Sequence, residues 1–188
     1  MKKLALFLMC LSFCSCSWRS PNSQFYTMSS EGLQAVSEHK TNIAVAKVKV
    51  PDLLDRSQMV TYDADSDHVN ILEFERWAEV FPDVLQSTVT NDLIAYLPNA
   101  YVQRSFFDSQ NVNFNVNIEV NKMQAYLGEK VVLTAWWNIA NASGRVLVRR
   151  QGTYEAKVDG RSIQSLVNAQ GEAVHEMSKD IAEALIKL

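Results

Sequence analysis

Three aspartates at alternate positions, Asp63, Asp65 and Asp67, have the spacing that comes nearest to a metal site in this sequence. Alternating carboxylates of this kind begin the calcium-binding loop of an EF-hand. The same loop needs a glycine at its sixth position for a sharp turn and a bidentate glutamate at its twelfth. His68 and Phe74 stand at those positions, so we expect the solvated tip of a β-hairpin and no bound calcium.

The histidines do not supply a metal site either, because His39, His68 and His175 lie far apart and none has a second ligand at zinc-binding spacing. We expect each of them to be exposed or structural. The sequence also lacks a Gly-x-Ser-x-Gly nucleophile elbow, a glycine-rich phosphate loop and a His-Glu-x-x-His motif. These absences give no argument for catalysis, although serine, histidine and aspartate residues that are distant in sequence can still meet in a fold. We predict no catalytic residues, no metal and no cofactor.

The cysteines all lie near the N-terminus, at Cys10, Cys14 and Cys16. Residues 1–15 have a basic start followed by an apolar run at 4–13, which is too short to span a bilayer and is typical of a secretory signal. Ser15 is the small residue that a lipoprotein signal peptidase needs before the cysteine that receives the lipid. We predict a lipoprotein signal peptide at residues 1–15 and palmitate-type lipidation at Cys16, with a plain cleaved signal or an uncleaved anchor as the alternatives.

The residue after the predicted lipidation site indicates where the anchor resides. Ser17 is not the aspartate that retains enteric lipoproteins in the inner membrane, so we expect an outer-membrane lipoprotein that faces the periplasm. Removal of residues 1–15 changes the formal net charge from −3 to −5, because Lys2 and Lys3 leave and no acid does. A net negative chain has no overall basic field for nucleic acid, and we expect no nucleic-acid partner.

The rest of the sequence has the composition of one folded domain. The 188 residues are 47% hydrophobic and 21% charged, which is too apolar for a disordered chain, and the sequence contains no internal repeat. We divide the chain into the signal peptide at residues 1–15, the lipidated Cys16 with a short tether at 16–24, and one domain at 25–188.

Hydrophobic periodicity predicts the elements of that domain. Period-two alternation favours strands at residues 25–28, 43–50, 59–62, 69–72, 112–120, 130–139 and 145–154. Spacings of three and four favour helices at residues 77–97 and 163–185. We expect hairpin turns at residues 63–67 and 141–144. The predicted fold is α+β, a single domain with a mainly antiparallel sheet and two helices packed on one face.

Two adjacent tryptophans on a predicted strand, Trp136 and Trp137, must point to opposite faces of the sheet. One of them is expected in the core. The other faces solvent, a partner or lipid, or is covered by a loop.

Two blocks of sequence resemble a known family. Residues 50–60, which read Val-Pro-Asp-Leu-Leu-Asp-Arg-Ser-Gln-Met-Val, are similar to a block of the ABC-type transport auxiliary lipoproteins, the PqiC-like components of MCE (mammalian cell entry) lipid-transport systems. Residues 73–79, Glu-Phe-Glu-Arg-Trp-Ala-Glu, resemble the Arg-Trp-Ala-Glu signature of that family. Weaker similarities lie at residues 25–28, 137, 144–147, 165–169 and 178–182. The Phe81-Pro82 pair departs from the family, in which proline comes sooner.

The resemblance implies a subunit without catalysis that is anchored in the outer membrane. It implies docking of a periplasmic MCE protein there, with an inner-membrane permease and an ATPase as further subunits, a role in lipid transport and membrane integrity, and a homo-oligomer. A structural or assembly lipoprotein of another envelope complex and a direct lipid carrier are the alternatives.

The residues we single out for a partner interface lie in the same two blocks. Arg56, Arg76 and Trp77 combine guanidinium groups with an aromatic ring, the side chains enriched at interface hot spots. Trp77 also begins the apolar spacing of the first predicted helix, and we favour it as a core residue. Arg56 and Arg76 are then the better contact candidates.

Overall fold

The computed structural model describes residues 21–105 and 111–188. The predicted signal peptide, the lipidation prediction at Cys16 and residues 17–20 of the tether lie outside the described residues. Within them the chain forms eight strands and two helices: β1 (Gln24–Tyr26), β2 (Asn42–Val45), β3 (Gln58–Tyr62), β4 (Val69–Trp77), α1 (Phe81–Tyr96), β5 (Tyr101–Arg104), β6 (Phe114–Ala125), β7 (Lys130–Asn141), β8 (Val146–Lys157) and α2 (Ile163–Leu185).

The strands form two mixed sheets in one α+β domain. A three-stranded sheet has the order β1-β4-β3, and a five-stranded sheet has the order β5-β2-β6-β7-β8. The β3–β4 hairpin and the β6–β7–β8 meander are antiparallel, as predicted. Within residues 21–105 and 111–188, however, β1 runs parallel to β4, and β2 runs parallel to both β5 and β6. The expected mainly antiparallel sheet is corrected to this extent, because long connections return β5 and β6 to β2 in the same direction.

Strand β6 shows how the polar and apolar residues are separated between the two faces of the larger sheet. Its first half buries Val116, Ile118 and Val120 and leaves the intervening side chains at least partly accessible. Beyond Val120 the register with β7 shifts by one residue, and Met123 and Ala125 become the buried positions. A bulge changes which side chains face the core, so the strand continues five residues past its predicted end at 120.

The first helix begins later than its apolar spacing predicts. Trp77 is the last residue of β4, and its amide donates a 2.7 Å hydrogen bond to the carbonyl of Ser57. The helix starts only at Phe81, with Pro82 in the first turn, where a missing amide hydrogen leaves no gap in the helical bonds. The predicted start at residue 77 was therefore wrong by four residues, because strand pairing determines the backbone there.

The second helix has the predicted bounds, Ile163–Leu185. Its N-cap is Ser162, whose hydroxyl accepts a 3.0 Å hydrogen bond from the amide of Ser165. In the part of the chain that the structure describes, no helix is long and apolar enough to cross a bilayer.

The core lies between the helices and the five-stranded sheet. Helix α1 packs on β2 and β5, helix α2 packs on β7 and β8, and the helices contact each other. Both therefore cover the same face of the sheet, as predicted. The largest completely buried side chains are Ile43, Met59, Leu85, Leu93, Leu97, Met123, Leu133, Trp137, Ile139, Leu166, Met177 and Ile181.

Candidate functional site

The two family-like blocks meet at the junction of β3, β4 and α1. Gln58 lies opposite Arg76 across the β3–β4 pair. The carbonyl of Ser57 accepts the amide of Trp77, and the carbonyl of Arg56 accepts the amide of Phe81 at 3.1 Å. Residues 50–60 and 73–81 are thus joined by backbone hydrogen bonds into one unit.

Trp77 belongs to the core of this unit. Its side chain is 3% exposed, and its ring packs against that of Phe81 with 5.3 Å between the ring centroids. This is the arrangement that the core interpretation predicts. An indole buried in this way stabilises the junction and presents no free ring to a partner.

Arg76 lies at the surface beside the exposed aromatic ring of β1. Its Nε donates to the Glu73 carbonyl at 2.8 Å, and its Nη2 donates to the Glu73 carboxylate at 2.6 Å. Phe25 is its neighbour in the parallel β1–β4 pair and exposes 65% of its surface. Phe74, two residues earlier on β4, is also exposed. Arg76 is therefore held in place by Glu73 of the same strand, and it lies in an area where aromatic rings are exposed.

Arg56 occupies the turn before β3 and is half buried. Its amide donates to the Leu54 carbonyl at 2.8 Å, while its buried side-chain Nε has no hydrogen-bond partner among the described residues. A buried guanidinium N–H without a partner costs free energy, since it has lost its hydrogen bonds to water. That buried atom is out of reach of a second molecule, so Arg56 is available to a partner only through the accessible part of the residue.

A second buried polar atom lies in the same area. Glu75 Oε2 is buried without a partner in the described part of the chain. A hydrogen bond to Glu75 raises the pKa of the Tyr26 phenol, with smaller contributions from burial and from the Glu75 charge. Tyr26 and Glu75 lie on the adjacent strands β1 and β4, so this contact links the tether end of the domain to the junction.

The aspartates with calcium-loop spacing lie together at one hairpin tip. Asp63, Asp65 and Asp67 are exposed at the tip of the β3–β4 hairpin, and Asn70 donates a 2.9 Å hydrogen bond to the Asp63 carboxylate. Among residues 21–105 and 111–188, no three His, Cys, Asp or Glu side chains lie close enough to hold a metal ion.

The adjacent tryptophans of β7 point to opposite faces, as predicted. Trp137 is buried under the helices. Trp136 exposes 42% of its surface on the other face, where an open groove of about 560 Å³ crosses the sheet. The alternative in which a loop covers the second tryptophan is therefore wrong for the loops that the structure describes.

One chain of three hydrogen-bonded side chains and one Asp–His pair, both at least partly buried, were not predicted from the sequence. Trp137 Nε1 donates to the Tyr154 hydroxyl at 3.1 Å, and that hydroxyl donates to Asp180 at 3.0 Å. Burial, together with the Asp180 charge, raises the pKa of Tyr154 to about 12, although the Trp137 hydrogen bond opposes it. The Asp–His pair joins Asp92 of α1 to His175 of α2 at 2.9 Å. In sequence, the only sign of it is an aspartate in the apolar register of a helix.

Comparison with known proteins identifies the family. The family model described as "ABC-type transport auxiliary lipoprotein component" matches residues 26–182. The chain therefore belongs to the family of ABC-type transport auxiliary lipoprotein components. No protein of curated function matches it.

Two solved structures share the fold. One, of an uncharacterised protein, has 19% identity and a TM-score of 0.72, and the alignment covers 88% of this chain and 99% of that one. The other, a DUF330 protein from Xanthomonas campestris, has 13% identity and a TM-score of 0.68, with 85% and 92% covered. At these identities the likeness shows the fold alone.

Proposed function

We propose that this protein is a non-enzymatic periplasmic lipoprotein subunit of an MCE-type ABC lipid-transport system. Anchored in the outer membrane through Cys16, it docks the periplasmic MCE protein there. An inner-membrane permease and an ATPase supply the other subunits and the energy, and the lipoprotein itself forms a homo-oligomer. Membership of the auxiliary lipoprotein family supports this proposal.

The observation that carries the proposal is the junction of the two family-like blocks. Their backbones are hydrogen-bonded to each other, Trp77 is buried beneath them, and Arg56 and Arg76 lie at or near the surface. An arginine next to exposed aromatic surface is the composition of an interface hot spot. We therefore assign the docking contact to the surface around Arg56, Arg76 and Phe25, which we call the junction surface.

Affinity capture tests the proposal. The tagged full-length protein, solubilised from membranes with detergent, is expected to copurify with an MCE-domain protein, a permease and an ATPase. The Arg56→Ala, Arg76→Ala double variant should reach the membrane in the normal amount. It should capture much less of these partners, because truncation of a hot-spot residue weakens binding by about 2 kcal/mol or more.

A matched control replaces cations outside the junction surface. Lys130 and Lys157 lie at the far end of the β7–β8 pair, where both are exposed. The Lys130→Ala, Lys157→Ala variant should capture the same partners as the wild type. Unaltered capture by the arginine double variant would contradict the assignment of the junction surface, and capture of another envelope complex in place of the transport subunits would contradict the function.

A further inference from the structure

The groove on the outer face of the five-stranded sheet has a regular arrangement of side chains. Arg149, Asn138 and Asn117 form one row across β8, β7 and β6, since each lies opposite the next in the strand register. The neighbouring row continues from Trp136 to Glu119 and on to Lys49, which bridges to Glu119 from the segment after β2. All of these side chains line the groove.

The rows provide both an apolar platform and hydrogen-bonding groups. The exposed indole of Trp136 stands beside Asn138, and the Asn117 amide donates a 3.1 Å hydrogen bond to the Asn138 side-chain oxygen, which fixes both amides in the row. An exposed indole surrounded by amides and a carboxylate suits a sugar, because the C–H face of a pyranose ring packs on the indole while its hydroxyls both donate and accept.

The charged side chains of the groove indicate which groups the sugar carries. Lys49 and Arg149 make no ion pair within residues 21–105 and 111–188, whereas Lys47 is paired with Asp83 at 3.3 Å. Two unpaired cations on a protein of net charge −3 favour a ligand that carries carboxylates. Glu119 lies between Lys49 and Trp136, where it can accept a hydrogen bond from a sugar hydroxyl. Its charge repels any anionic group placed directly against it, so carboxylates spaced along a chain of sugars fit better than the phosphate at every unit of a nucleic acid.

The extent of the groove favours a chain of sugars over a single one. It crosses β6, β7 and β8 and reaches Lys49, a span of about 14 Å at the usual spacing of strands. Its volume of about 560 Å³ is that of a ligand site. The backbones of β6 and β7 beneath it are paired on both sides, so a peptide in the groove could not add to these two as a further strand. We propose that this groove binds a linear polysaccharide bearing carboxylates, such as a cell-wall glycan strand that has been freed of its stem peptides and so ends its lactyl groups in carboxylates.

Binding of soluble cell-wall glycan strands stripped of their stem peptides, whose lactyl carboxylates are free, tests the inference. Their affinity for the detergent-solubilised full-length protein is measured by titration calorimetry and by the change in tryptophan fluorescence. Trp136→Ala should weaken binding about tenfold or more, which corresponds to about 1.4 kcal/mol. Arg149→Gln should weaken it and reduce its dependence on salt. Both variants should unfold at the wild-type temperature, because both side chains are exposed.

Controls keep the result specific. Tyr101→Ala removes an exposed ring on β5 outside the groove, and Lys157→Gln removes a cation at the far end of β8; neither should alter binding. Absence of wild-type binding, or equal binding by Trp136→Ala, would overturn the inference. Tighter binding of rough lipopolysaccharide, polyglutamate or oligodeoxythymidylate would overturn the assigned ligand class. The groove shares no lining residue with the junction surface at Arg56, Arg76 and Phe25, so its failure leaves the docking proposal intact.

Discussion

The carboxylate of Asp92 is completely buried between the two helices, where it faces the largely buried ring of His175. Burial alone would lower the pKa of His175. The hydrogen bond and charge of Asp92, the carbonyl of Ser29 and the charge of Glu172 outweigh burial and raise it. When protonated, His175 compensates the charge of a buried carboxylate, and its contacts tie α1 to α2 and to the segment after β1.

This pair predicts a stability that depends on pH. The folded-state pKa of His175 lies above the unfolded value of about 6.5, so its contribution is fully present below that pH and is lost as pH rises through the folded pKa. The thermal midpoint should therefore fall as the pH rises above about 6.5 and through the folded-state pKa of His175. The dependence should disappear in His175→Gln, which is already destabilised at low pH.

His68 serves as the matched control for that measurement, because it is exposed on the β3–β4 hairpin. His68→Gln should keep the wild-type pH profile. A wild-type profile in His175→Gln would show that another group is responsible.

Trp77 and Arg76 are adjacent in sequence and are expected to respond differently to substitution. Trp77→Ala removes a buried indole from the junction and should cost about 3–5 kcal/mol of stability. Arg76→Ala removes a partly exposed ion pair with Glu73 and should change stability by less than about 1 kcal/mol. Chemical-denaturation midpoints of both variants measure the difference, and equal midpoints would contradict the assigned roles.

At the scale of elements, helix α2 is attached to the sheet by the Trp137–Tyr154–Asp180 chain of hydrogen bonds. Gly152 makes room for it, since a Cβ at that position would overlap the Tyr154 ring. Gly152→Ala should displace the ring, and Tyr154→Phe should leave the buried Trp137 N–H without its acceptor, each at a cost of about 1–3 kcal/mol.

Gly144 is the control glycine for this prediction. It has nothing within 4 Å of an added Cβ, but its φ is +80°, so Gly144→Asn tests the turn without strain from a bulky side chain. That variant should stay close to wild type. Wild-type stability in both Gly152→Ala and Tyr154→Phe would contradict the role of the hydrogen-bond chain.

The elements that periodicity predicted well are those whose pattern comes from one buried face. Helix α2 and the β6–β7–β8 meander were predicted because their apolar residues repeat at one period against one core. The β3–β4 hairpin was located by its polar turn, and the predicted end of β4 at residue 72 was wrong by five residues, since most of that strand is not buried. The start of α1 was wrong since Trp77 satisfies a helical spacing while its backbone pairs as a strand. Strand β5 and the parallel pairings were missed, because four residues carry little pattern and parallel partners are distant in sequence.

For the candidate site, sequence similarity located the two blocks, and the structure shows that they are in contact. That Arg56 and Arg76 belong to one unit follows from long-range backbone pairing, which local patterns do not report. The exposure of Trp136 was one of the alternatives that the sequence left open. The contact between Asp92 and His175 could not be predicted from the sequence, because the two residues are 83 positions apart.

At the scale of the whole molecule, the account depends on a lipid anchor at Cys16. Cys16→Ser should release the protein from membranes and abolish incorporation of labelled palmitate, while Cys14→Ser should change neither. Fractionation of envelopes measures the release. Palmitate incorporation that persists in Cys16→Ser would contradict the assigned anchor.

The most direct test of the docking role is photocrosslinking in living cells from positions of the junction surface. A photoreactive amino acid in place of Arg56 or Arg76 should crosslink to a periplasmic MCE-domain protein, and the same group in place of His68 or Lys157 should not. That pattern would place the docking contact where the two family-like blocks meet. Crosslinks to an unrelated envelope protein from Arg56 and Arg76, or crosslinks to the MCE protein only from the control positions, would contradict the account.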